Sequence, residues 1–195
     1  MYEVIGSKAS RAFRVLWLLE ELGVDYDHTP AGPRSAEAVA ANPSGKIPAL
    51  RVEGRVVTES VAIMTYLADR HGGLTHAAGT LERARQDALT HQILDDVDCS
   101  LWMAARHTFV LPEDKRVPEI KETLKWEYEG SIARLSEALD GPFLMGDTMT
   151  LPDILLVHCL RWAEIAKFPG PGEALEAYRA RLEKREAFQK VAEMG

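Results

Sequence analysis

Apolar residues change their spacing every few positions up to about residue 70 and then keep one period, and no other feature of this sequence restricts its fold more. Tyr2 to Ile5 reads as a short strand. From Arg11 the positions Phe13, Leu16, Trp17, Leu19 and Leu22 recur at helical spacing until Gly23 stops them. Asp25 to Thr29 reads as a second strand, Pro30 to Ser35 as a loop, and alanine-rich Ala36 to Ala41 as a short helix. Ile47 to Val52 and Arg55 to Thr58, separated by Glu53-Gly54, predict an antiparallel hairpin. Glu59 to Arg70 returns to helical spacing through Val61, Ile63, Met64 and Leu67 before Gly72-Gly73 ends it. The predicted order is βαβαββα.

Beyond that point strand signals fade. Helical patterns run over Leu81 to His107, Val117 to Leu139 and Thr150 to Ala166, with a shorter helical tail from Glu173 to Ala192. The expected fold class is therefore α/β plus all-α, with an N-terminal domain over residues 1–72 and an all-helical domain over 80–195, joined where Gly72, Gly73 and Gly79 interrupt the pattern. A hydrophobic content of 46% supplies enough apolar material for one large or two small cores.

Charge and cysteine usage exclude several functions. A net charge of −7 disfavours nucleic acid, whose phosphates are bound by lysine and arginine. No stretch approaches the ~20 apolar residues of a membrane span. Lys8, Arg11 and Arg14 interrupt the region where a signal peptide needs an apolar core, so the expected compartment is the cytoplasm. Cys99 and Cys159 form no C-x-x-C pair, are expected to be buried small hydrophobes, and suggest neither a disulfide framework nor a metal site.

Two segments carry chemistry. In Asn42-Pro43-Ser44-Gly45-Lys46-Ile47-Pro48-Ala49-Leu50 the proline sits at a strand entry, where it removes a ladder donor. A cis Ile47-Pro48 bond would leave the Ile47 amide and carbonyl for an extended peptide-like ligand, whereas a trans proline at an edge strand is the reading physics alone favours, cis occurring at ~5–6% of X-Pro bonds. Val57-Thr58-Glu59-Ser60-Val61-Ala62-Ile63 puts an acid and a hydroxyl at a strand-to-helix junction. The helix N-terminus suits a carboxylate and Glu59 suits an ammonium, against the alternative that Thr58 or Glu59 only caps the helix. In the helical half, Thr150 and Asp153 have capping-box spacing, with Met149 and Ile154 as the hydrophobic staple.

These segments, in this order, resemble the cytosolic glutathione S-transferase superfamily, in its bacterial, serine-type or related members. The likeness rests on Ser10-Arg11-Ala12-Phe13-Arg14-Val15-Leu16-Trp17-Leu18-Leu19-Glu20-Glu21-Leu22-Gly23, the NPSGKIPAL strand entry, the TESVAI helix start and the Gly146 to Ile154 capping segment, and it spans almost the whole chain. The resemblance implies a thioredoxin-like N-terminal domain that binds glutathione as co-substrate and a helical bundle that shapes the electrophile site, with no metal and no nucleic-acid or membrane partner. It implies that Ile47 pairs with the cysteinyl backbone beside a cis Pro48, that Glu59 and Ser60 hold the γ-glutamyl end, and that Arg34 and Lys46 face the glycine carboxylate. It also implies a homodimer and a detoxifying role, by conjugation to a small hydrophobic electrophile or by peroxide reduction.

Thiol activation falls to a serine near the first helix. Alignment on Arg14-Val15 and Gly23 puts the serine position of the family on Ala9, which leaves Ser10, favoured at the helix start, with Ser7 as its rival and backbone amides as a third possibility. Tyr2 lies too early to resemble the tyrosine-dependent classes and is expected in the core. The cysteine of the disulfide-exchanging classes and the Ser-Ser-Cys cluster of the isomerase class are both absent. Trp102, Arg106 and His107 are the candidates for an electrophile pocket, against their use as an ordinary helix face. A non-catalytic binding or interaction protein of the same fold is the alternative function.

Overall fold

The computed structural model of the chain describes residues 1–194. It divides into two compact units, Met1–Ala78 with Glu183–Gly195, and Gly79–Leu182. The first holds β1 (Tyr2–Ile5), α1 (Ala12–Leu22), β2 (Tyr26–Thr29), α2 (Ala36–Ala41), β3 (Ala49–Val52), β4 (Arg55–Thr58) and α3 (Ser60–His71). The strand order is β2-β1-β3-β4. β1 and β2 are parallel, a pairing that needs a crossover and obtains it from α1, while β3 and β4 are antiparallel to their inner neighbours. The element order is the βαβαββα that the alternating periodicity predicts, in the thioredoxin-like arrangement that the resemblance implies.

Helix α1 is buried on every side from Ala12 to Leu19, Arg14 included. Helix α3 packs on one part of it and a C-terminal helix, α9 (Glu186–Glu193), on another. The Phe188 ring meets Phe13 and Trp17 edge-on at 5.2 and 5.0 Å, each such pair adding roughly 0.5–1.5 kcal/mol beyond its buried area. The Arg185 guanidinium donates to both Glu21 oxygens at 2.6 Å, and Lys190 meets Glu20 at 2.6 Å. The continuous tail expected over residues 173–192 is thus two helices, α8 (Glu173–Glu183) and α9, with Arg185 extended between them. No proline or glycine breaks it, and the Arg185 and Phe188 contacts supply the reason.

The second unit is helical. Helix α4 (Leu81–Gln92), capped by the Thr80 hydroxyl on the Arg83 N–H, continues through a π-helical stretch (Ile93–Asp98), α5 (Cys99–Ala105) and a second π-helical stretch (Arg106–Val110). Then come α6 (Ile120–Glu137), α7 (Leu151–Ile165) and α8. Cys159 is buried, but Cys99 is exposed, which corrects the expectation for it. The helix turns Cys99 outward while Val97, Asp98, Ser100 and Leu101 face inward. Among the described residues no helix is long and apolar enough to cross a membrane.

The capping segment is built around Asp153, which is wholly buried. Its carboxylate accepts from the Thr150 N–H at 2.7 Å and hydroxyl at 3.2 Å, the Leu144 N–H at 2.9 Å and the Tyr178 hydroxyl at 2.7 Å. Burial pushes this carboxyl up from the ordinary value, against the pull of its four donors. Thr150→Ala removes one of those donors and is expected to lower stability by about 0.5–2 kcal/mol, read as a shift in the urea midpoint.

Candidate active site

The first unit gathers its candidate residues at one end of the sheet. Ile5 pairs with Ala49 and Ala49 with Thr58, so the segments that leave this row, 6–11, 47–48 and 59–60, lie side by side. Gly6 makes the closeness possible. Its φ is 149°, and a Cβ there would stand 2.9 Å from the Ala12 Cβ and 3.2 Å from the Ile47 Cβ.

Backbone bonds from Gly6 to the Thr29 carbonyl, 3.0 Å, and from Ser7 to the Ala31 carbonyl, 2.8 Å, hold the loop after β1. The His28 Nε2–H donates to the Gly6 carbonyl at 2.8 Å. Ser10 is committed locally: its hydroxyl donates to the Ser7 carbonyl at 2.6 Å and accepts from the Ala12 N–H at 3.1 Å. Ser7 differs. Its Oγ accepts from the Ala9 N–H at 3.2 Å, and its own hydrogen has no acceptor among the described residues. Geometry therefore gives the helix-start role to Ser10 and leaves Ser7 able to donate to a ligand.

The Ile47-Pro48 bond is cis, and β3 begins at Ala49, two residues later than the periodicity predicts. The Ile47 N–H and carbonyl have no partner among the described residues. The preceding loop is folded by Asn42, whose Oδ1 accepts from the Ser44 N–H and hydroxyl and whose Nδ2 donates to the Lys46 carbonyl at 3.1 Å. Arg34, at φ 64°, donates its N–H to the Gly45 carbonyl at 2.8 Å, so Arg34 and Lys46 flank one glycine. Both are exposed, and neither has a carboxylate partner among the described residues.

Glu59 adopts φ 68° and ψ 117°, a sparsely populated conformation for a residue with a side chain. No side chain caps α3, which sets aside the capping alternative for Thr58 and Glu59. The N–H groups of Ser60, Val61 and Ala62 are thus open to an anion, beside the buried Ser60 and an exposed Glu59 with no cation partner among the described residues.

Tyr2 is buried and shares a hydrogen bond with His71 Nε2 at 2.9 Å, as expected for a core residue. Trp102, Arg106 and His107 are half-buried in the second unit. Arg106 Nη1 lies 3.6 Å from the Met103 sulfur, and His107 Nδ1 accepts from the Val117 N–H at 2.9 Å, which engages one imidazole nitrogen. Among the described residues no group of three or more His, Cys, Asp or Glu could hold a metal ion. Gly6, Lys8 and His28 escape the sequence reading. A glycine closing a strand was the available signal for the first, while the partners of the other two are 22 and 184 residues away.

Known proteins are similar to this chain in sequence and in fold. The family model "Glutathione S-transferase, N-terminal domain" matches residues 10–70. The chain is 30% identical to a maleylacetoacetate isomerase of Rhizobium meliloti over 94% of this chain and 92% of that protein. It is 30% identical to glutathione S-transferase GstA of Escherichia coli O157:H7 over 77% of this chain and 74% of that one. A glutathione transferase of Phanerochaete chrysosporium solved with oxidized glutathione superposes with a TM-score of 0.81 at 26% identity, covering 98% of this chain and 94% of that chain. With the fold, the open strand entry and the full-length likeness agreeing, the chain belongs to the cytosolic glutathione S-transferase superfamily.

Proposed function

We propose that this chain is a glutathione transferase that holds glutathione along the 47–48 strand entry and activates its thiol with the Ser7 hydroxyl. The observation that carries the reading is the convergence, on one row of the sheet, of an unpaired Ile47 amide and carbonyl, an uncapped α3 N-terminus and an uncommitted Ser7 hydroxyl. Glutathione has two carboxylates and one ammonium. The α3 N-terminus with Ser60 suits one carboxylate, Glu59 the ammonium, and Arg34 with Lys46 the other carboxylate.

The chemistry is activation of a thiol whose pKa, about 8.5 when free, keeps it mostly protonated at neutral pH. Lowering it by about two units requires roughly 2.7 kcal/mol of preference for the anion. A hydroxyl hydrogen bond to the thiolate, about 1.5–3 kcal/mol, with loop N–H groups, covers that need without a general base. The thiolate then attacks carbon of an electrophile, expelling chloride from a chlorinated aromatic or opening the C–O bond of an epoxide, or attacks the O–O bond of a hydroperoxide, releasing the alcohol and leaving a sulfenic acid that a second glutathione converts to the disulfide and water. Trp102, Arg106 and His107 are proposed to contact that second substrate. A homodimer in the cytoplasm, with a detoxifying role, is the accompanying assignment, and sedimentation tests the oligomeric part.

The likeness to a maleylacetoacetate isomerase favours a second reading, isomerisation of a cis diketo acid with glutathione returned unchanged. The chain has Ala9, Ser10 and Arg11 where that class carries Ser-Ser-Cys, which weighs against it. Retention on immobilised glutathione, thiolate absorbance, and turnover of chlorinated aromatics, epoxides, isothiocyanates, hydroperoxides and a cis diketo acid separate these readings from a non-catalytic binder. Ser60→Ala is expected to raise KM for glutathione about tenfold with kcat nearly unchanged, because Ser60 faces a part of glutathione that does not react. An unchanged KM removes Ser60 from the site.

A further inference from the structure

Lys8 directly follows Ser7, and its ammonium donates to the Ala192 carbonyl at 3.1 Å, in the last turn of α9. That carbonyl is one of the four that a helix leaves without an internal partner, at the end where the helix dipole favours a cation. Lys8 has no carboxylate partner among the described residues. Helix α9 is itself fixed: Arg185 grips Glu21, whose side chain is 7% exposed, Lys190 grips Glu20, and Phe188 sits against Phe13 and Trp17. On the other side of Ser7, His28 holds the Gly6 carbonyl.

We infer that Lys8 is a positioning residue for thiol activation, fastening the Ser7 loop to the end of the C-terminal helix so that the Ser7 hydroxyl keeps its aim at the glutathione sulfur. This rests on the activation reading above. A hydroxyl bond to a thiolate depends on distance and angle, and the loop from Ser7 to Arg11 lies outside regular structure, so a tether beside Ser7 limits how far its hydroxyl wanders. The 184-residue separation makes the final helix a brace for the start of the site.

The test compares full-length protein with Lys8→Met and Lys8→Arg. Amide hydrogen exchange without glutathione reads the brace, and it is expected to quicken over residues 6–12 in Lys8→Met and to stay near the wild-type rate in Lys8→Arg. With glutathione, Lys8→Met is expected to raise the apparent pKa of the bound thiol by about half to one unit and to lower kcat roughly 1.5- to threefold at neutral pH, where a thiol of pKa about 6.5 is mostly ionised, and roughly three- to tenfold below about pH 5.5, where a unit of pKa is tenfold in thiolate. KM for glutathione should move less than twofold. Unchanged exchange and thiol pKa in Lys8→Met overturn the inference, as does a rise in KM alone, which would make Lys8 a direct ligand contact. If wild-type protein forms no thiolate while Lys8→Met still loosens residues 6–12, the activation reading fails and the brace stands.

Discussion

Asp153→Ala is expected to destabilise the chain more than any other single change considered, by about 3–5 kcal/mol. The side chain is wholly buried and accepts four hydrogen bonds, so its removal takes the acceptor from the buried Thr150 N–H and Tyr178 hydroxyl and from the part-buried Leu144 N–H. It joins the start of α7 to the turn before it and to α8, and the loss is therefore felt in three segments at once. Against a total stability of roughly 5–15 kcal/mol this is a large fraction. At about 2–4 °C per kcal/mol for a chain of this size, the thermal midpoint should fall by roughly 6–20 °C. Asp153→Asn keeps one acceptor oxygen and should lose less. Calorimetry on the two variants checks the order, and an Asp153→Ala midpoint within a degree or two of wild type would show that the four bonds contribute little net stability. Thiol activation by the fraction still folded should be preserved, because Leu144, Thr150 and Tyr178, the hydrogen-bond partners of Asp153, all lie in the second unit.

Ser7→Ala is expected to have the largest effect on chemistry. Loss of roughly 1.5–3 kcal/mol of anion stabilisation corresponds to one to two units of thiol pKa, which takes a bound thiol from about 6.5 to about 7.5–8.5 and lowers the thiolate fraction, and with it kcat, roughly three- to 25-fold at neutral pH. Raising the pH should recover much of it, because the thiol then ionises without help, and KM for glutathione should change little. Ser10→Ala is expected to be milder on the thiol: its hydroxyl is already engaged by the Ser7 carbonyl and the Ala12 N–H, so its removal loosens the loop instead of deleting the donor. Thiolate absorbance against pH distinguishes the two. A shift confined to Ser10→Ala would restore the sequence-based preference for that serine. No shift in either variant would assign the thiolate to backbone N–H groups.

The two serines illustrate how far local sequence reaches. Spacing alone puts a hydroxyl near the start of α1, but two hydroxyls three residues apart cannot be ranked by spacing. Their roles depend on which carbonyl each meets once the loop closes over Gly6, and that closure involves Ala12, Ile47 and Pro48 together. The junction at Glu59 and Ser60 was legible because a change from strand to helix is a local pattern. Whether a side chain caps that junction was not, since capping and ligand binding use the same residue types. Arg14 and Cys99 went against their residue types, the arginine fully buried and the cysteine exposed. Burial of a single residue depends on what packs over that face of its helix.

Periodicity in the chain by itself determined the order of strands and helices, the change from mixed to helical organisation near residue 75, and the place of the 47–48, 59–60 and 150–153 motifs, because each is written in residues within a few positions of one another. Tertiary structure alone decided the exposure of Cys99, the break at Arg185, and the tie from Lys8 to Ala192. Each of the last two depends on partners more than 160 residues apart, and no local spacing encodes a hydrogen bond that exists only after the chain has returned to its own beginning.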